Sequence, residues 1–292
     1  MDTLQLNPSP KPLKVLPIIR EAFSFAWDQR RALWGWIVVG AFLSGLTDLV
    51  DPFVKIEEEG EVDAWPNVLM VMQYCSIIFL ASTPSTLVFV MLAIYCHRSI
   101  LFDHGGKCPN LRLFFASREW RFFAWIIVVY TGAFLFIFPG ITLIGIGALA
   151  GFFSPEMDNV YLNSVWIKTL AEFLFMYGVF LSPFLYILGR WSLVFPTIAI
   201  DHRPSLSWSW KQTKNNGWRM AVLVGFLLLI VGNLKHVLPF IGLSEFPMFS
   251  SYISSFVWFI FTPVEVAVIS FAFRELTNWN SSAPLFSHPV EA

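Results

Sequence analysis

The chain has 292 residues, of which 56% are hydrophobic, 17% aromatic and only 13% charged, and its mean hydropathy is +0.64. A soluble globular chain carries about 25% charged residues, so the composition points away from a water-soluble fold and predicts an all-α integral membrane protein. The net charge of −1 gives no basic footprint of the kind nucleic acid requires, and no nucleic-acid partner is expected.

Residues 1–12 are polar and read as a loose N-terminus. From Pro17 a helical pattern sets in, with Ile18, Ile19, Ala22, Phe23, Ala26 and Trp27 on one stripe and Arg20, Glu21, Ser24, Asp28 and Arg30 outside it. That is the pattern of an amphipathic helix lying in a membrane interface. The first apolar run, Ala32 to Leu49, follows without an A-x-A-like site, so no cleaved signal peptide is expected, and Asp2 after Met1 gives no myristoylation signal. It ends at Asp51-Pro52. The next loop holds Glu57, Glu58, Glu59, Glu61 and Asp63 against Lys55, and without the ligand alternation and Gly of a calcium loop it reads as a solvated outer loop.

Apolar sequence then runs from Val68 to Phe102. Since about 20 residues span a bilayer, this segment is expected to tilt, project into the cytoplasm, or break near Thr83-Pro84. Beyond it Leu111, Phe114 and Phe115, interleaved with Arg112, Arg118 and Arg121, suggest a second surface helix. A third apolar segment covers Phe122 to Phe153, and a fourth runs from Val165 through Pro183 to Ile200. A turn at Asp201-His202-Arg203-Pro204 leads to a third surface helix with Pro204 in its first turn. Its Leu206, Trp210 and Thr213 share a stripe, and Ser205, Ser209, Lys211, Gln212 and Lys214 face elsewhere. Spans from Arg219 to Phe240 and from Phe249 to Phe273 complete the set, and residues 277–292 read as a loose tail.

Lys and Arg set the expected orientation. Lys11, Lys14, Arg20, Arg30, Arg31, Arg98, Lys107, Arg112, Arg118, Arg121, Arg190, Arg203, Lys211, Lys214, Arg219 and Arg274 fall on one side, against Lys55, Lys168 and Lys235 on the other. Both termini are therefore expected in the cytoplasm. Trp34, Trp120, Trp191, Trp218 and Trp279 near inner boundaries, with Trp65 and Trp166 near outer ones, fit an aromatic belt.

Internal similarity suggests three units. Thr83-Pro84, Ser182-Pro183 and Thr262-Pro263 recur in the second, fourth and sixth spans, and Asp103-His104 and Asp201-His202 follow the first two. The expected fold is six transmembrane helices with three cytoplasmic surface helices. They would form one domain over residues 13–276, built as three surface-helix-plus-hairpin units at about 13–102, 103–200 and 201–276.

The run RWSLVFPTIAID from Arg190 to Asp201, with SWKQTKNNGWR from Ser209 to Arg219, resembles a segment of bacterial six-span inner-membrane proteins. These are the membrane domain that precedes some glycerophosphodiester phosphodiesterases, and related stand-alone proteins of uncharacterised function. No soluble phosphodiesterase domain follows in this chain, so the resemblance implies a bacterial inner-membrane location and supplies no catalytic residue.

The candidate site residues fall into two sets. Arg190, Arg203, Lys211, Lys214 and Arg219, with Trp210 and Trp218, form a basic, aromatic collar suited to anionic headgroups; Arg190 either holds a lipid phosphate or anchors its helix. Glu265, two residues after Pro263, lies deep in apolar sequence, where a carboxyl is either functional or hydrogen-bonded to a neighbouring span. Glu172 follows Lys168 by one helical turn, which favours a structural pair. Asp103-His104 and Asp201-His202 suit turns and caps better than a metal, and Cys75, Cys96 and Cys108 lack metal spacing and read as packing residues. No hydrolase, P-loop or zinc-protease motif is present, so neither enzyme activity nor a cofactor is expected. The leading expectation is a non-catalytic membrane protein binding anionic lipids or a membrane-protein partner, as an organiser or accessory subunit. The alternative is a small transporter or channel using Glu265 and Glu172.

Overall fold

The computed structural model describes residues 11–50, 64–102, 117–135, 182–225 and 247–279, and the regular structure within them is helical. Helix α1 (Val15–Asp28) passes into α2 (Arg30–Val50) through the single residue Gln29, whose backbone (φ −87°, ψ 0°) leaves the helical region and turns the chain. The α1 stripe is rotated from the one expected. Ile18 and Ala22 are buried, whereas Leu16, Phe23 and Trp27 are exposed. The reason is its main packing partner: α1 lies chiefly against the last helix of the chain, α8 (Pro247–Thr277), and buries the part of its apolar arc that faces that helix. Arg30 covers the outward Trp27, its guanidinium 4.5 Å from the ring centroid.

Helix α3 (Ala64–Leu101) is continuous for 38 residues with Pro84 inside it. The break near Thr83-Pro84 does not occur. At ~1.5 Å per residue the helix is ~57 Å long, well beyond a ~30 Å hydrocarbon core. Next to the proline, the hydroxyls of Ser85 and Thr86 donate to the Ser82 carbonyl at 2.8 and 2.9 Å and shield that turn. Among the described residues two segments are long and apolar enough to cross a membrane, Leu80–Leu101 in α3 and Tyr252–Thr277 in α8.

Helices α2, α3 and α8 form the main packed group. Ser255 donates to Ser44 at 3.2 Å, and Trp34 meets Phe256 edge to face. Thr47 donates to the Ala81 carbonyl at 3.3 Å, tying the C-terminal end of α2 to α3. Between α3 and α8, buried His97 pairs through Nδ1 with the Ser270 hydroxyl at 2.7 Å. Ser270 already donates to the Val266 carbonyl, so His97 must be the donor to it. Cys96 beside it is a buried, free packing residue.

Helix α4 (Ser117–Leu135) packs on α5 (Ser182–Trp191) and α6 (Val194–Ala199). The apolar run expected to continue to Ile200 instead breaks at Ser192-Leu193, where the Ser192 hydroxyl donates to the Gly189 carbonyl at 2.9 Å. Helix α7 (Leu206–Gln212) and helical residues 217–225 follow. Among the three recurring prolines, Pro84 and Pro183 are exposed, in α3 and α5, and Pro263 is buried inside α8. The second surface helix of the expected repeat lies largely outside the described residues.

Candidate functional site

The turn after α6 places Asp201 in the left-handed region at φ 64°, a conformation Asp tolerates better than most residues. Its carboxylate accepts from Arg98 of α3 at 3.1 Å and from Arg118 of α4 at 3.2 Å. Arg98 also donates to the Ala199 carbonyl at 3.0 Å, and Arg118 pairs with Glu119 at 3.0 Å. The His202 ring lies edge-on to Trp279 at 6.2 Å. This Asp-His pair is therefore engaged in holding three chain segments together, while Asp103-His104 lies outside the described residues.

Arg203 and Pro204 precede the helix proper, because Ser205 is its N-cap and accepts from the Trp208 backbone N–H at 3.0 Å. Pro204 thus falls one residue before the cap, outside the first turn. The orientation of α7 also differs from expectation. Its buried stripe is polar: Ser209, Gln212 and Thr213, at spacings of three and four residues that place them on one helix face, are 0% exposed, and Asn216, in the turn that follows, is 1% exposed. Each is occupied. Ser209 donates to the Arg190 carbonyl at 2.7 Å, Gln212 to the Leu276 carbonyl at 2.7 Å, and Thr213 to the Ser209 carbonyl at 2.9 Å. Asn216 accepts from the Leu13 N–H at 2.9 Å and donates to the Lys11 carbonyl at 3.1 Å. Leaving such a buried group unpaired costs about 1–3 kcal/mol, so these bonds dictate which way α7 faces.

With its polar side turned inward, the segment presents aromatic and cationic side chains outward. Trp210 is 39% and Trp218 63% exposed, and Arg203, Lys211, Lys214 and Arg219 are all exposed. Arg219 reaches the Asn216 side chain at 3.3 Å. Six of the seven collar residues thus share an outward setting.

The seventh, Arg190, is only 7% exposed. Its guanidinium donates through Nη1 to the Tyr186 hydroxyl at 3.1 Å and through Nη2 to the Trp210 carbonyl at 2.5 Å. It also lies 4.1 Å from the Trp210 ring centroid and 5.7 Å from that of Tyr186. Two glycines make this arrangement possible. A Cβ at Gly189 would lie 2.7 Å from the backbone N of Ala221, and one at Gly217 would lie 2.6 Å from the Tyr186 ring; without side chains, the two segments close tightly around Arg190.

Glu265 is half-buried on α8, two residues after Pro263, and Tyr130 of α4 lies close enough to feel its charge. Glu172 and Lys168 lie outside the described residues. Reasoning from sequence missed Tyr186, Ser209, Gln212, Thr213 and Asn216 as organisers of the site. The signal was the polar spacing of Ser209, Gln212 and Thr213, legible once a buried helix face is allowed to be polar. Comparison of the chain with family models, with characterised proteins and with solved structures finds no match.

Proposed function

We propose that the chain is a non-catalytic, multi-pass protein of the bacterial inner membrane that binds anionic lipids, or a membrane-protein partner, through a basic, Trp-rich collar at its cytoplasmic face. Its role on this reading is membrane organisation or service as an accessory subunit, in keeping with the resemblance carried by residues 190–219. The observation that supports it is the inverted α7 segment, which spends its polar residues on internal hydrogen bonds and leaves Trp210, Trp218, Arg203, Lys211, Lys214 and Arg219 outward. Exposed tryptophans suit headgroup depth, and each basic residue near an anionic surface contributes about 1 kcal/mol. The outward Leu16, Phe23 and Trp27 of α1 add apolar area of the same kind. In vesicles containing phosphatidylglycerol, the triple variant K211Q/K214Q/R219Q should co-purify with fewer anionic lipids, counted by native mass spectrometry, at unchanged unfolding temperature. Equal lipid counts for variant and parent would sink the collar reading.

A further inference from the structure

Arg190 lies beneath the collar and is not part of its exposed charge. A buried guanidinium ordinarily has a carboxylate beside it, because a cation taken out of water needs an anion to offset the lost hydration. Among the described residues none pairs with Arg190. Its acceptors there are neutral, the Tyr186 hydroxyl and the Trp210 carbonyl, and among the described residues its Nε–H has no acceptor. The Tyr186 hydroxyl accepts from Arg190 and so keeps its own O–H free to donate.

The surroundings are built to hold this geometry. Tyr186 is fixed by Trp218 at 4.9 Å and by the Gly217 backbone, which has no room for a Cβ. The Trp210 ring, on the other side, covers the guanidinium and is partly exposed. A guanidinium with neutral acceptors only and an unused Nε–H, beside a free phenol O–H, suits a phosphate oxyanion, which accepts several such donors at once.

We infer that Arg190 and the Tyr186 hydroxyl form a socket for one phosphate oxyanion of an anionic lipid headgroup, entered from the Trp210 side. The lipid source rests on the collar reading, since a soluble phosphate ester offers the same oxyanion. The socket differs from the collar in stoichiometry and in kind: one phosphate held by a directed fork, against a diffuse attraction to several surface charges. It also disfavours a zwitterionic headgroup, whose ammonium the guanidinium repels.

The test uses the full chain in nanodiscs of phosphatidylcholine with a minor fraction of phosphatidylglycerol. Native mass spectrometry should find one phosphatidylglycerol retained after the bulk lipid is stripped. Arg190→Lys keeps the charge but loses the fork and Nε–H; it should lower that occupancy at least about tenfold, the factor one charge-assisted hydrogen bond carries. Arg190→Gln should do the same if it folds, and the Lys variant and the parent decide the matter if it does not. K211Q/K214Q/R219Q should keep the single lipid while losing looser ones. In a second arm, glycerol 3-phosphate is titrated against the parent and Arg190→Lys without anionic lipid; binding lost in the variant supports the socket and moves its source to soluble phosphate. If Arg190→Lys matches the parent in both arms the socket is overturned, whatever the collar does. If the triple variant keeps every lipid while Arg190→Lys loses one, the collar reading fails and the socket stands.

Discussion

Single residues at the 190–219 segment carry their effect through backbone groups they satisfy or spaces they leave open. Asn216 serves the Leu13 N–H and the Lys11 carbonyl together. Asn216→Ala orphans both, and at about 1–3 kcal/mol for each group it should cost roughly 2–6 kcal/mol of stability. Its neighbour Asn215 makes a different demand, since it stands at φ 69°. There Gly should be neutral or slightly stabilising, and Ala should cost about 1 kcal/mol, because it keeps the Cβ and loses the polar side chain that lets Asn adopt left-handed backbone. Gly189→Ala brings a Cβ within 2.7 Å of the Met220 and Ala221 backbone, and overpacking of that kind costs about 1–3 kcal/mol. Thermal unfolding in detergent checks all of these; a Gly189→Ala variant as stable as the parent would show that α5 and residues 217–225 do not meet as described.

At the level of the element, α7 separates two kinds of helix that composition alone confuses. A helix floating on a membrane gains from any added apolar residue on its inner face. This one is bonded inward through Ser209 and Gln212 to the Arg190 and Leu276 carbonyls. Gln212→Leu therefore raises the apolar content of the helix and should still lower stability by about 1–3 kcal/mol, because the Leu276 carbonyl loses its buried donor. A rise in unfolding temperature for Gln212→Leu would mean that α7 behaves as a free interfacial helix.

For the molecule as a whole, one end gathers what the chain keeps far apart. Asn216 holds residues 11–13, Gln212 and the Trp279 indole join α7, α8 and α3, Asp201 joins α3 to α4, and Arg274 of α8 pairs with Glu21 of α1 at 2.6 Å. Asp201→Asn keeps the shape and the left-handed backbone but removes the charge facing Arg98 and Arg118. The pairs are partly exposed, so the loss should be near 1 kcal/mol, and added salt should narrow the gap between variant and parent. The same gathering predicts topology. Reporter fusions after Gly105, Asn215 and Ser287 should read cytoplasm and those after Gly60 and Asn159 periplasm; a cytoplasmic reading at Gly60 would reverse the assignment.

Helical class and the apolar stretches of α3 and α8 were legible because they depend on local composition and periodicity. Lys and Arg counts also grouped Arg98, Arg118, Arg190 and Arg274 on one side before any contact was known. Pairwise facts were not legible. The unbroken run of α3 through Pro84 depends on neighbours that keep it helical, and the inward face of α1 depends on where α8 lies. The polar face of α7 turns inward only because carbonyls at 190 and 276 and the backbone at 11 and 13 arrive at the same place. Hydrophobic periodicity assigns a helix face from the solvent it prefers, and it cannot register a face chosen by hydrogen-bond partners up to 205 residues away in sequence. For the same reason the sequence left Arg190 as either a phosphate ligand or a helix anchor at the end of its span, and only the close approach allowed by Gly189 and Gly217 made it a buried guanidinium.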